Sequence, residues 1–259
     1  MDAFSLVQHH KVKPDGTLPE ITGCLYAYIL GGNGVFVHAV RPGLEALIPV
    51  SSCRIAGLPE LTPQVNIARG VPAKLLLAAL HWSQKAFPNE ALFWFNLGQE
   101  WSVYMPAQRR GRGRVVPIDP NDSKGTSALV DLHSHARMSP FFSPADDQDE
   151  RGFRLYAVLG NLHRTPTIRV RVGVYSHFYD LPASTVFDLP EGILDIHTAF
   201  EKEISTHDDI EQRQPLCPQI TPAAVRLDAP GPDRLRRHGI LACAPSGADR
   251  KAAGRVTRP

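Results

Sequence analysis

Residues Leu129 to Asp146 read LVDLHSHARMSPFFSPAD. Apolar Leu129, Val130 and Leu132 lead into His133 and His135, as in a strand running to its C-terminal end. Side chains two apart on a strand share a face, so both imidazoles point the same way. Pro140 and Pro144 then break regular structure, and the chain turns before Asp146. A short loop can thus return a carboxylate to the side of two imidazoles. Two nitrogens and one oxygen leave a fourth tetrahedral position for water, the arrangement of catalytic zinc. Asp147 and Asp149 are competing carboxylates, and only the spacing from Ser143 favours Asp146.

Upstream, Leu75, Leu76, Ala79, Leu80 and Ser83 make a helical stripe, so 73–86 is expected to be a helix opened by Pro72 and packed on a sheet. Pro88 and Asn89 end it. Glu90 follows, at the entry to the apolar run Ala91-Leu92-Phe93-Trp94-Phe95, which reads as a buried strand. Local pattern alone makes Glu90 a solvated strand start, because an unpaired charge inside such a strand is costly. Further strands are expected over 100–105, 115–118, 128–132, 154–159 and 167–174. The last alternates Ile168, Val170, Val172 and Val174 with Arg169 and Arg171, one buried face and one wet. Residues 108–114, QRRGRGR, form a basic glycine-spaced loop with Arg109, Arg110, Arg112 and Arg114. It reads as a solvated turn, with contact to an acidic partner or phosphate backbone as the functional alternative.

Residues 1–69 read as a small β-rich region, with strands over 25–30 and 35–40 joined by the hairpin signal Gly31-Gly32-Asn33-Gly34 and a further strand over 45–50. Residues 70–206 form the expected catalytic domain, with a helix over 190–204. Residues 207–259, Pro-rich and then basic, are expected to be a disordered tail.

The composition, 43% hydrophobic and 21% charged, is that of a globular protein, and a net charge of +2 does not by itself call for nucleic acid or membrane. Four scattered cysteines (Cys24, Cys53, Cys217, Cys243) offer neither a CxxC zinc site nor a disulfide framework. With no signal-peptide pattern and no long apolar run, a cytoplasmic location is expected.

The pattern His133-x-His135-x7-Ser143-x2-Asp146 resembles the JAMM signature of the JAB/MPN-type metallopeptidases at every spacing. The resemblance covers roughly residues 70–190. It implies an α/β fold, a cytidine-deaminase-like mixed sheet flanked by helices. Family enzymes carry an upstream glutamate after a helix and at the start of a buried strand, the context of Glu90. Carried over, His133, His135 and Asp146 would ligate Zn2+, Glu90 would move the proton, and Ser143 would stabilise the oxyanion. The reaction would be hydrolysis of a peptide or isopeptide bond. The chain departs from the family in Ala136, where proline is common, and in LFWFN, where a glycine-rich run is usual. Within the family it looks most like the protein A group of PRTRC cassettes, ParB-related and ThiF-related plasmid gene systems. That implies a ubiquitin-like or sulfur-carrier protein substrate and a ThiF-like, E1-type partner.

Two other readings compete. Asp131-Leu132-His133-Ser134-His135 also resembles the DLHxH opening of PHP-type phosphoesterases, with Asp195 and His197 as a second pair. A non-catalytic MPN-type scaffold, or a DNA-associated accessory protein using the arginine loop and basic tail, is the other.

Overall fold

Fourteen strands, three α-helices and one 3-10 turn (Ala183–Thr185) follow one another along the described part of the chain. The structure is a computed structural model and describes residues 5–197, which lie within one compact unit. The strands β1 (Val7–Lys11), β2 (Tyr26–Gly31), β3 (Gly34–Arg41), β4 (Leu44–Ser52) and β5 (Gln64–Ile67) form a five-stranded sheet in sequential order. Helix α1 (Ala73–Ala86) follows, then β6 (Leu92–Leu97), β7 (Trp101–Tyr104), β8 (Gln108–Arg110) and β9 (Val115–Pro117). After α2 (Ser123–Ser127) come β10 (Val130–Ser134), α3 (Pro144–Asp149), β11 (Arg154–Gly160), β12 (Thr167–Val174), β13 (His177–Leu181) and β14 (Leu194–Asp195).

The central sheet is mixed, ordered β13-β12-β11-β10-β6-β7, with β14 beside β12. Strand β10 lies in the middle, parallel to β11 and antiparallel to β6. Its alternation decides the two faces. Val130 and Leu132 join Phe93, Phe95, Leu155 and Ala157 in the main core. Leu76, Ala79 and Ala86 of α1 cover that face, as the sequence stripe predicts. Val37, Ala39, Ala46 and Ile48 of the five-stranded sheet enter the same core, while Ala27, Ile29, Phe36 and Leu47 build a second, smaller one. Strands buried on both sides read as nearly continuous apolar runs for this reason.

The turn between β2 and β3 is Gly32-Asn33, since Gly31 pairs with Gly34. A side chain on Gly32 would collide with the Leu58 carbonyl at 2.3 Å, so the glycine there is a packing requirement. Short strands β1, β5 and β13 lack a strong alternating pattern and are found only through their sheet partners.

Three expectations need correction. The arginine segment 108–114 is a loop only over 111–114: residues 108–110 form β8, which pairs with β9, and 111–114 make the turn between them, closed by the Gly111 N–H donating to the Arg114 carbonyl at 2.9 Å. Residues 190–195 are not helical. Gly192 has a φ of +91°, and Leu194 and Asp195 pair with Thr167 and Ile168. Pro144 does not break structure either: it occupies the first turn of α3, where its missing N–H needs no partner. The rest of the expected helix beyond residue 197, the 207–259 tail, Cys217 and Cys243 lie outside the described residues. No helix among the described residues is long and apolar enough to cross a membrane.

Candidate metal centre

Asp131 and His133 of β10 occupy the face opposite the core, while Ser134 shares the face of Val130 and Leu132. His133 lies across from Leu92 of β6 and Val158 of β11, and His135 follows the strand end, where its N–H donates to the Leu159 carbonyl at 2.6 Å. The two Nε2 atoms are 3.2 Å apart. Asp146 Oδ1 stands 3.7 Å from His133 Nε2, and one donor atom from each of the three residues lies within 4.8 Å of the others. Zinc bonds of about 2.0–2.2 Å in a tetrahedron put neighbouring donors roughly 3.3–3.6 Å apart, so the set suits one divalent ion.

The protonation states suit it too. Burial holds the His133 imidazole down to about 4, against the pull of Asp146, and burial also lowers His135. Both rings are therefore neutral near pH 7, as ligation requires. His135 Nδ1 faces the Ser139 carbonyl at 3.3 Å, which favours the proton on Nδ1 and frees Nε2.

Asp146 is placed by a device the sequence reading did not use. Ser143 is the N-cap of α3, and with Asp146 it forms a capping box. The Asp146 N–H donates to Ser143 Oγ at 3.3 Å, and Asp146 Oδ2 accepts from the Ser143 N–H at 2.6 Å. Serine, two residues, aspartate is itself a helix-start signature. The competing carboxylates are engaged elsewhere. Asp147 pairs with Arg171 at 2.6 Å and Asp149 with Arg114 at 3.3 Å.

Glu90 enters between α1 and β6 and is 3% exposed, so it is not the solvated strand start that local pattern favours. Its Oε1 lies 4.0 Å from His135 Nε2 and has no hydrogen-bond partner. Burial, and then Asp146, push its carboxyl up to about 7. The backbone on either side is pinned. The Glu90 N–H donates to the Gly111 carbonyl at 2.8 Å, and Ser134 Oγ accepts from the Ala91 N–H at 3.0 Å. Gln108 brackets Leu92, its Oε1 accepting from the N–H at 2.8 Å and its Nε2 donating to the carbonyl at 3.2 Å. The arginine hairpin is thus attached to the segment that carries Glu90.

A cavity of about 510 Å³ opens over these groups. Leu92 and Trp94, from the stretch LFWFN, form part of its apolar wall, with Val115, Val116 and Pro117 of β9. Asp131 and Tyr156 line its other end, and burial raises Asp131 to about 6 against the neighbouring Arg154. Arg154 and Tyr156 were not singled out in sequence, Asp131 was named only as the start of the DLHxH pattern, and Arg171 was placed on a wet face. Their signal was the period of two: each shares the sheet face of His133 through the β10–β11–β12 register. Arg171 is 6% exposed, so that face is covered there rather than wet.

Residues 72–172 match the family model for prokaryotic homologs of the JAB domain. This JAB-like segment supports the JAB/MPN family, and the mixed α/β architecture is consistent with its fold. The match fits a metal-dependent hydrolase or an MPN scaffold. Among solved structures, protein DSY2949 from Desulfitobacterium hafniense is similar at 15% identity over 48% of this chain and 94% of its own, with a TM-score of 0.32, too slight a likeness to carry an argument. No curated protein matches. The JAB-like segment includes α1, Glu90, His133, His135, Ser143, Asp146 and Arg171. Asp195 and His197 lie outside it. The Asp195 carboxylate accepts from the N–H groups of Ala183 at 2.7 Å and His197 at 3.0 Å, and neither residue joins the three-donor cluster.

Proposed function

We propose that the protein is a zinc-dependent hydrolase of a peptide or isopeptide bond. The observation that carries this is the convergence of two neutral imidazoles and one carboxylate beside a buried, unpaired Glu90 oxygen, in a cavity open to substrate. His133, His135 and Asp146 would hold the ion. Zinc supplies Lewis acidity and makes hydroxide available near neutral pH.

The chain's own groups divide the remaining work. Glu90, poised near 7, takes a proton from the attacking water and delivers it to the leaving amine. Ser143 Oγ accepts from the Asp146 N–H, which leaves its own proton free to be donated to the oxyanion. Leu92, Trp94 and the β9 residues would offer the substrate an apolar wall.

The substrate we infer is the extended tail of a ubiquitin-like or sulfur-carrier protein. The sequence resemblance of the added N-terminal region and of TIRVRVGVYSHFYD to the PRTRC protein A group is what suggests that class, and a ThiF-like adenylating protein would then be the partner. A phosphoesterase would need Asp195 and His197 at the cluster, and they are not there.

The test is the zinc content and hydrolytic activity of the purified protein on a fusion bearing a ubiquitin-like C-terminal tail, compared with Glu90→Gln. The variant should keep zinc and lose turnover. A Glu90→Gln protein that hydrolyses at the wild-type rate would remove Glu90 from the mechanism. A wild-type protein that holds no zinc would leave the scaffold reading.

A further inference from the structure

Helix α3 is too short and too acidic to place itself. It has six residues, and isolated helices below about 12 residues are marginal in water. It carries Asp146, Asp147 and Asp149, with Glu150 at its C-cap. Like charges three and four residues apart repel. The capping box fixes only its first turn. Something outside the helix must neutralise it and hold it against the sheet.

Arg171 does both. It sits on β12, two strands from His133 on the same sheet face, and is 6% exposed. Its Nη1 donates to Asp147 Oδ1 at 2.6 Å, and its Nε and Nη2 donate to Glu150 Oε2 at 2.9 and 2.6 Å. The guanidinium lies between two rings, 3.9 Å from the centroid of Phe142 and 3.7 Å from that of Phe178. Phe142 immediately precedes Ser143, so Arg171 grips the chain on both sides of Asp146: just before the cap, next to Asp146, and one turn later. A planar fork with stacking faces suits this, and an ammonium does not.

We propose that Arg171 is the positioning residue of the metal centre: by clamping Phe142, Asp147 and Glu150 to β12, it sets the Asp146 carboxylate at the two imidazoles. This rests on the metal reading above. Asp147 and Glu150 then serve as anchors whose carboxyl oxygens are taken up by Arg171, so only Asp146 is presented.

The experiment measures Zn2+ affinity by chelator competition and the visible absorption spectrum of the Co2+-loaded protein. Arg171→Gln should weaken Zn2+ binding by about tenfold to a hundredfold, the usual effect of losing an outer support, and should change the Co2+ spectrum as the carboxylate is lost. Arg171→Lys should fall between. Glu150→Gln should reproduce part of the loss and be non-additive with Arg171→Gln. Arg69→Gln, which removes the exposed pair with Glu100, should leave both readouts unchanged. If Arg171→Gln does not fold, Arg171→Lys and Glu150→Gln carry the comparison. Wild-type affinity and an unaltered Co2+ spectrum in these variants would overturn the role of Arg171. A wild-type protein that binds no Zn2+ would instead overturn the metal reading beneath it.

Discussion

Asp146 turns one carboxylate oxygen toward the Ser143 N–H at 2.6 Å and the other toward His133 Nε2 at 3.7 Å. One side chain therefore caps a helix and faces an imidazole at once. The cap restricts its rotation, which is how an outer hydrogen bond orients a ligand.

Ser143 is bound into the same pair by its backbone and its hydroxyl, and the two can be separated. Ser143→Ala and Ser143→Gly both remove the hydroxyl but keep the N–H that Asp146 accepts from. Both should lower turnover by about 10²–10³-fold if the hydroxyl serves the oxyanion. Ala is the poorer N-cap, so it should cost about 1 kcal/mol of stability while Gly costs a few tenths. Equal turnover in wild type and both variants would reduce Ser143 to a helix cap.

Of Asp146 and Asp149, only Asp146 should matter for stoichiometric zinc. After dialysis, Asp146→Asn and His133→Ala should retain none. Asp149→Asn should retain a full equivalent, because it breaks only an exposed pair with Arg114. Zinc content by elemental analysis decides between them.

Glu90 makes the stability of the metal-free protein depend on pH in a defined direction. Its carboxyl is raised from 4.5 to about 7 by burial and by Asp146, so the folded state binds the proton more tightly than the unfolded chain. That contribution is full below about 4.5 and is lost as pH rises through about 7, a loss on the order of 3 kcal/mol at one unit per 1.36 kcal/mol. Metal-free Glu90→Gln should therefore gain stability relative to wild type as pH rises across that window. His133, lowered to about 4, runs the other way and costs stability as pH falls below its ordinary 6.5, but it is common to both proteins and cancels. Chemical denaturation at pH 5 and pH 8 gives the comparison, and a pH-independent difference would count against the buried, shifted Glu90.

Ser134, the residue between the two histidines, should behave as a support for Glu90. It is fully buried, and its Oγ accepts from the Ala91 N–H. Ser134→Ala leaves that donor unpaired at a cost of about 1–3 kcal/mol. A shift of Glu90 by even 1 Å would lower turnover by about a hundredfold while zinc stays bound. Unfolding curves, zinc content and turnover measured together separate the two effects.

Local pattern reached a good part of this protein. The stripe on 73–86, the buried run after Glu90 and the histidines at a strand end are short-range features, because helix and strand periods are written into neighbouring residues. The hairpin at Gly32-Asn33 is legible for the same reason. Arg171 was misjudged because alternation says which residues share a face, not what covers that face. Leu194 and Asp195 were misjudged because an apolar run of a few residues fits a helix or a strand until a partner such as Thr167 is present.

By itself, the sequence determined the donor types and their order: an acid before a strand, two histidines at the end of another, then serine and aspartate. The spacing from Ser143 favoured Asp146, but only the tertiary structure showed what draws the other two carboxylates away from the imidazoles. Asp146, Asp147 and Asp149 differ in sequence only by their spacing from Ser143. In the fold they differ because the Ser143 cap takes one, and Arg171 and Arg114, 24 and 35 residues away in the chain, take the others. Such long-range pairing follows from the strand register and the hairpin, which no local pattern encodes.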